Sequence, residues 1–320
     1  MRAVISDHLF PSIDLQKSVF DAAGFELIET QPGCKNEEEV IDRCASADVL
    51  LVQWAPVTQR VLKSLPKLRG VVRYGIGVNN IDLEAARQLR IGVANVPTYC
   101  IEEVSNHALA MILSLARRIP HDHYRIVNGD WGVAPLLPIP AFTDLTLGLV
   151  GFGAIARRVA EKAAFFGFRI AASDPYVKPH IFEKRKVWCM DTDELLASAD
   201  IISLHCPLVK ETTHLINKSA IAKMKDGVMI INTSRGPIIS EPDLVEALQG
   251  RKIIGAGLDV FEEEPLPATS ALRDLPNVIL TSHAASVSTR AVDSLQIKAA
   301  EAARDFLLGV RPEGALVWPG

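Results

Sequence analysis

Short apolar runs alternate with stretches of helical period along the first third of the chain. Residues 3–6, 25–28, 49–53, 70–73 and 92–95 read as buried strands, and amphipathic runs near 12–23, 37–45, 58–65 and 82–90 read as helices between them. Asp82 and Glu84 suit the start of one such helix. Strands parted by helices predict a parallel, wound α/β sheet. A longer run, 101–118, predicts one continuous helix, and the proline-rich stretch 120–143 has no clear period and predicts an arm or functional loop. A second alternation then begins. Strands are expected at 146–150, 168–173, 200–204, 228–232, 253–258 and 277–281, with helices at 154–166, 192–198, 217–224 and 241–249 and a last one over about 288–308.

Two rounds of alternation in 320 residues predict two domains rather than one. Composition adds limits. Hydrophobic residues make up 48% and charged residues 22%, the balance of a soluble globular protein. A net charge of −4 without a basic stripe argues against nucleic acid as a partner. No apolar run reaches the roughly 20 residues of a membrane span, and the N-terminus lacks a signal-peptide shape, its apolar start being broken by Asp7 and His8. Cys34, Cys44, Cys100, Cys189 and Cys206 are widely spaced and form no CxxC pair. Neither a disulfide framework nor a metal site is expected, and a reducing cytoplasm is.

Chemistry enters at "LVGFGAIARRVA" (149–160), where Gly151 and Gly153 fall between a strand and a helix. Gly151 permits the tight turn, and Gly153 lets backbone approach a pyrophosphate lying on the helix N-terminus. Ala156 stands at the third position, where one methyl can fit between helix and strand. Asp174, about 20 residues on, ends the next strand and can accept from ribose hydroxyls, which favours NAD over NADP.

Ligands of open α/β sheets bind beyond the carboxyl ends of the strands. Those ends carry His205-Cys206-Pro207, Thr233-Ser234-Arg235-Gly236, Asp259 with Glu264, and Ser282-His283. An arginine, a glutamate and a histidine on one rim suit hydride-transfer chemistry. Histidine moves the proton at the oxygen beside the reacting carbon, a carboxylate fixes its tautomer, and arginine grips a substrate carboxylate in a fork. A lone histidine more often serves packing, and His8, His107, His121, His123, His180 and His214 are assigned that buried role.

With these residues in place, the chain resembles the D-isomer-specific 2-hydroxyacid dehydrogenase family along nearly its whole length. The resemblance rests on "VVRYGIGVNNIDLEAA" (71–86), "LGLVGFGAIARRVAEKAAFFGFRIAASDPY" (147–176), "ADIISLHCPLVKETTHLIN" (199–217), "MIINTSRGPIIS" (229–240), "GAGLDVFEEEP" (255–265) and "SHAAS" (282–286). It implies catalytic roles for Arg235, Glu264 and His283. It implies NAD contacts at Gly151, Gly153, Ala154, Ile155, Asp174, Cys206, Pro207, Thr212, Thr233, Arg235, Asp259, His283 and Ala285, and a carboxylate-binding loop at Gly75, Ile76, Gly77 and Val78, with Arg235 as partner. The implied architecture is α/β with two wound parallel-sheet domains: a Rossmann cofactor domain (99–286) inserted into a flavodoxin-like substrate domain (1–98 and 287–320). The substrate, a small 2-oxo or 2-hydroxy acid, would lie in a cleft shut by a hinge. The long helix and the loop with "NGDW" (128–131) resemble the family's dimer arm, which implies a homodimer.

Asn79, Asn106 and Ser282 depart from the family's usual aspartate, glutamate and proline. Gln53 and Trp54, ending an earlier strand, are candidates to shape the pocket. "DPY" and "SHAAS" are similar to the C-terminal-binding proteins, NAD-binding co-repressors on this fold, so an NAD(H)-sensing protein is the alternative to an enzyme. The aromatic residue those proteins carry close behind the histidine is absent, Ser286 and Val287 standing there.

Overall fold

The structure, a computed structural model, describes residues 1–134 and 138–319. The chain divides into two compact units, Met1–Cys100 with Val287–Gly320, and Ile101–Ser286.

The first unit holds β1 (Arg2–Ile5), α1 (Asp14–Ala23), β2 (Glu26–Glu29), α2 (Glu37–Arg43), β3 (Val49–Val52), α3 (Gln59–Ser64), β4 (Gly70–Arg73), α4 (Leu83–Gln88) and β5 (Gly92–Ala94). The chain's last two elements, α12 (Thr289–Leu308) and β13 (Ala315–Val317), complete it. The strand order is β2-β1-β3-β4-β5-β13, the flavodoxin-like winding with one strand added at the edge. Every pair is parallel except β13 with β5. β3, Val-Leu-Leu-Val, is buried at all four positions, as a central parallel strand covered on both faces must be. Asp82 caps α4 by accepting from the Ala85 N–H. A buried polar chain runs through this core: the Tyr74 hydroxyl donates to Gln16 Oε1 at 2.5 Å, and Gln16 Nε2 donates to Gln296 Oε1 at 3.3 Å. It joins the end of β4 to α1 and α12 without leaving a polar atom stranded in apolar surroundings.

The second unit opens with α5 (Ile101–Ala116) and α6 (Ile119–Val127). Then come β6 (Thr146–Val150), α7 (Ala154–Ala164), β7 (Arg169–Ser173), α8 (Pro179–Lys184), β8 (Trp188–Cys189), α9 (Thr192–Ser198) and β9 (Ile201–Leu204). α10 (Lys218–Lys223), β10 (Val228–Asn232), α11 (Glu241–Gln249), β11 (Ile253–Leu258) and β12 (Val278–Leu280) follow. The order β8-β7-β6-β9-β10-β11-β12, all parallel, is the Rossmann winding with a seventh strand, and its order reverses between β6 and β9.

Two expectations fail between 101 and 143. The helix expected over 101–118 stops at Ala116, because Arg118 takes a left-handed conformation with φ 55°. A separate helix, α6, then occupies much of the segment expected to be loop. Pro120 lies in its first turn, where the missing N–H costs nothing. The apolar residues of α6 are exposed and Arg125 is its buried residue, so no inward stripe announces it. Arg125 Nη1 donates to Asp122 at 3.3 Å and to the Gly132 carbonyl at 3.1 Å, tying α6 to the segment after it. Residues 135–137 of the expected loop lie outside the described residues. The short elements α8, β8 and the antiparallel β13 also went unpredicted. Among the described residues no helix is long and apolar enough to cross a membrane.

Candidate active site

The site is built in the second unit, at the carboxyl ends of its strands. After β6 the chain turns at Gly151, with φ 89°, and its N–H donates to the Ser173 carbonyl at 2.8 Å. A Cβ there would stand 2.7 Å from the Cys206 nitrogen and 2.8 Å from the His205 carbonyl carbon, so the turn lies directly on the end of β9. Only glycine meets both the sign of φ and the contact. A Cβ on Gly153, by contrast, would meet open space. Among the described residues no side chain caps α7 at Gly153, which leaves its first-turn N–H groups for an anion. Ala156 is fully buried in the helix–sheet contact, where its methyl fits.

Asp174, after β7, accepts from the Phe152 N–H at 2.8 Å and the Tyr176 N–H at 2.9 Å, and so braces the glycine turn from the next strand. Across the switch point, Thr233 Oγ1 is buried with no hydrogen-bond partner among the described residues. A glycine turn open at Gly153, an uncapped helix, a carboxylate at the ribose position and an orphaned hydroxyl together fit a dinucleotide. Gly153, Ala154 and Ile155 would hold the pyrophosphate, and Asp174 the adenosine ribose.

Cys206 and Pro207 follow β9. Burial pushes the Cys206 thiol up to about 11, so it stays protonated and contributes shape rather than nucleophilicity. Thr212 closes the next turn on itself, its hydroxyl donating to the Pro207 carbonyl at 2.6 Å and accepting from the Val209 N–H at 2.9 Å.

After β10, Asn232 shapes the turn that presents Arg235. Its Oδ1 accepts from the Ser234 N–H at 3.0 Å and its Nδ2 donates to the Arg235 carbonyl at 2.8 Å. Arg235 Nη1 donates to the Ser234 carbonyl at 2.6 Å. Gly236 comes next, and a Cβ on it would lie 1.9 Å from the carbonyl carbon and oxygen of Phe261. The absent side chain lets the Arg235 turn press against the loop that carries Glu264.

Glu264 Oε1 accepts from the Phe261 N–H at 3.0 Å, and Oε2 lies 2.7 Å from His283 Nδ1. Partial burial pushes the Glu264 carboxyl up, but the His283 hydrogen bond, the Phe261 N–H and the charges of His283 and Arg235 outweigh it, holding the group below the usual carboxylate range. The ionised Glu264 therefore accepts from Nδ1–H, which leaves Nε2 as the histidine nitrogen free to exchange a proton. The three predicted catalytic residues thus meet at one rim: Glu264 bonds His283 and feels the charge of Arg235.

His283 has a left-handed backbone, φ 54°, a conformation costing about 1–2 kcal/mol for a residue with a Cβ. Asp259 holds it there. The His283 N–H donates to the Asp259 carbonyl at 2.8 Å, and the next two N–H groups, of Ala284 and Ala285, donate to its Oδ1 and Oδ2 at 2.8 and 2.9 Å. Asp259 is 1% exposed, so its carboxylate is spent on this loop rather than turned outward toward a ligand.

The Gly75–Val78 segment belongs to the first unit. Gly75 has φ 132°, its carbonyl accepts from the Val96 N–H at 3.0 Å, and the Ile76 carbonyl accepts from Asn95 Nδ2 at 2.6 Å. Asp7, buried, accepts from the N–H groups of Gln53, Trp54 and Ala55 at 3.2, 2.6 and 3.2 Å and so fixes the loop after β3. Sequence reasoning missed Asn95 and Asp7, whose partners are distant backbone groups with no sequence signature. Three histidines expected to be buried, His123, His180 and His214, are exposed, and His214 pairs with Glu262 at 2.8 Å.

Known proteins resemble this chain along most of its length. The family model described as D-isomer specific 2-hydroxyacid dehydrogenase, NAD binding domain, matches residues 109–285. A hydroxypyruvate reductase of Blautia hydrogenotrophica is 35% identical over 275 residues, 84% of this chain and 85% of that protein. A D-3-phosphoglycerate dehydrogenase of Synechocystis sp. is 37% identical over 286 residues, 89% of this chain but 51% of that protein, so the chain spans about half of that relative. A crystal structure of D-lactate dehydrogenase from Aquifex aeolicus, complexed with NAD and lactic acid, matches with a TM-score of 0.82 and 29% identity, covering 97% of this chain and 96% of that one.

Proposed function

Since the chain belongs to the D-isomer-specific 2-hydroxyacid dehydrogenase family and carries its NAD-binding domain, we propose that it interconverts a small 2-oxo acid and its D-2-hydroxy acid. The observation that carries this reading is the 2.7 Å contact between Glu264 and His283 Nδ1, with Arg235 charged beside it, on the rim that bears the dinucleotide turn.

Bound NADH supplies a hydride at carbon. Arg235 grips the substrate carboxylate, and within the first unit the Gly75–Val78 segment is an anion-binding loop by its motif. His283 Nε2 gives a proton to the carbonyl oxygen as it becomes an alkoxide, and Glu264 stabilises the imidazolium before transfer and keeps the ring oriented afterwards. Asp259 and Ala285 keep the histidine loop in register, Thr233 offers its hydroxyl to the cofactor, and Cys206, Pro207 and Thr212 form the wall beside it. Exposed apolar side chains around α6, Val127 at 69% and Trp131 at 89% among them, suit burial against a second copy, so a homodimer is part of the proposal. The five cysteines, four of them buried and none in a CxxC pair, suit a reducing cytoplasm.

The purified protein with NADH and a panel of glyoxylate, hydroxypyruvate, pyruvate and bulkier 2-oxo acids, followed by NADH absorbance, tests the reading. Turnover of at least one member is expected. Firm NADH binding without turnover of any member refutes the enzyme and favours the sensor of the co-repressor type.

A further inference from the structure

His107 lies on α5 and was expected only to pack. Its Nε2 is 3.0 Å from Thr281 Oγ1, and Thr281 Oγ1 is 2.5 Å from Asp259 Oδ1. The protons of this chain can be assigned. A carboxylate only accepts, so the single hydroxyl proton of Thr281 goes to Asp259. Thr281 Oγ1 must then accept from His107, which requires a proton on Nε2. The donors run one way, from His107 to Thr281 to Asp259.

Asp259 is the residue that takes three successive N–H groups from 283, 284 and 285. Oδ1 receives both the Thr281 hydroxyl and the Ala284 N–H. The orientation of the carboxylate, and with it the left-handed turn at His283, therefore depends on a donor on the side of Oδ1 facing α5. We propose that His107 and Thr281 are positioning residues that lock Asp259 and thereby aim the His283 imidazole at the reacting oxygen. This rests on the acid–base role proposed for His283. A competing possibility, that His107 serves Asp259 as a plain counter-ion, has longer geometry: Nε2 to Oδ1 is 3.8 Å.

The test uses Thr281→Val, Thr281→Ser, His107→Leu and His107→Gln in the full chain, with kcat, the KM for NADH and the imidazole resonances of His283 by NMR. Thr281→Val is expected to lower kcat by about tenfold or more with little change in the KM for NADH, because misaimed groups cost rate before binding. Thr281→Ser keeps the hydroxyl and should stay within about twofold. His107→Leu should lower kcat several-fold, whereas Gln, whose amide can stand in for Nε2–H, should restore it. The pair Thr281→Val with His107→Leu should be no worse than Thr281→Val alone, since the two act in series. The His283 resonances should move in the Val and Leu variants and not in Ser or Gln. Unmoved resonances and wild-type kcat in Val and Leu overturn the proposal. So does a Gln variant as impaired as Leu, which would assign His107 the counter-ion role. If the parent protein reduces no 2-oxo acid, the function fails, and the resonances alone still decide whether the relay positions His283.

Discussion

Replacing Gly236 by alanine should separate the arginine from the glutamate. A Cβ at this position would stand 1.9 Å from Phe261 C and O and 2.5 Å from the Glu262 nitrogen. Carbon and oxygen atoms that are not bonded keep ~3 Å or more apart, so one of the two loops must retreat by about 1 Å. The obstacle is backbone on both sides, and no side chain can swing clear. Arg235 immediately precedes the new methyl, and Glu264 is tied to Phe261 through the 3.0 Å N–H contact, so the displacement falls between the two functional groups. Overpacking of this kind costs about 1–3 kcal/mol of stability, and a misplacement of ~1 Å in a reacting constellation costs on the order of 100-fold in rate. The expected phenotype is a folded protein with a lowered melting temperature, kcat reduced by about 10–100-fold and a raised KM for the 2-oxo acid.

Gly153→Ala supplies the contrast, because its methyl meets open space in the free protein. That variant should melt like the parent and lose affinity for NADH, since the methyl enters the place proposed for the pyrophosphate. Thermal unfolding, NADH titration and steady-state kinetics on both variants separate the two outcomes. A Gly236→Ala protein with parental stability and kcat within about twofold would refute the claim that this contact sets the spacing of Arg235 and Glu264.

His283→Asn should lower kcat by roughly 100-fold to 10,000-fold while NADH binding holds, and an equal loss of both would mark the histidine as structural. Asp174→Ala should weaken NADH binding by about tenfold or more and narrow its preference over NADPH, because the ribose loses its acceptor and the glycine turn its brace; an unchanged preference in paired titrations counts against this. Burial pushes the His205 imidazole down to about 4, whereas the unfolded chain takes up that proton near ~6.5. The unfolded state binds more protons between those values, so stability should fall as pH drops through that window. His205 keeps some surface, which bounds the loss at on the order of 3 kcal/mol. Denaturant melts across the window should show this slope flattened in His205→Gln; an undiminished slope places the titrating group elsewhere.

What the sequence made legible is whatever its local pattern carries. The buried runs of β3, β6 and β10 are apolar at consecutive positions, and the glycine turn sits between a strand and a helix, so both could be read in place. Arg235, Glu264 and His283 could be found because a parallel sheet collects its strand ends on one rim, which turns order along the chain into proximity. Features whose cause lies far along the chain were not legible. Gly236 is a glycine because of Phe261, and α6 hid because its apolar residues face outward. Asp259 shows the limit most sharply. Its place after β11 marked it as a ligand contact, yet it takes three backbone N–H groups and a hydroxyl from residues 281–285, which a strand-end rule cannot foresee. An inward carboxylate that shapes the backbone of a catalytic loop leaves the same trace in a sequence as one that touches a cofactor. Only the hydrogen-bond partners separate the two, and here they tie His107, read from the sequence as packing, to the loop that carries His283.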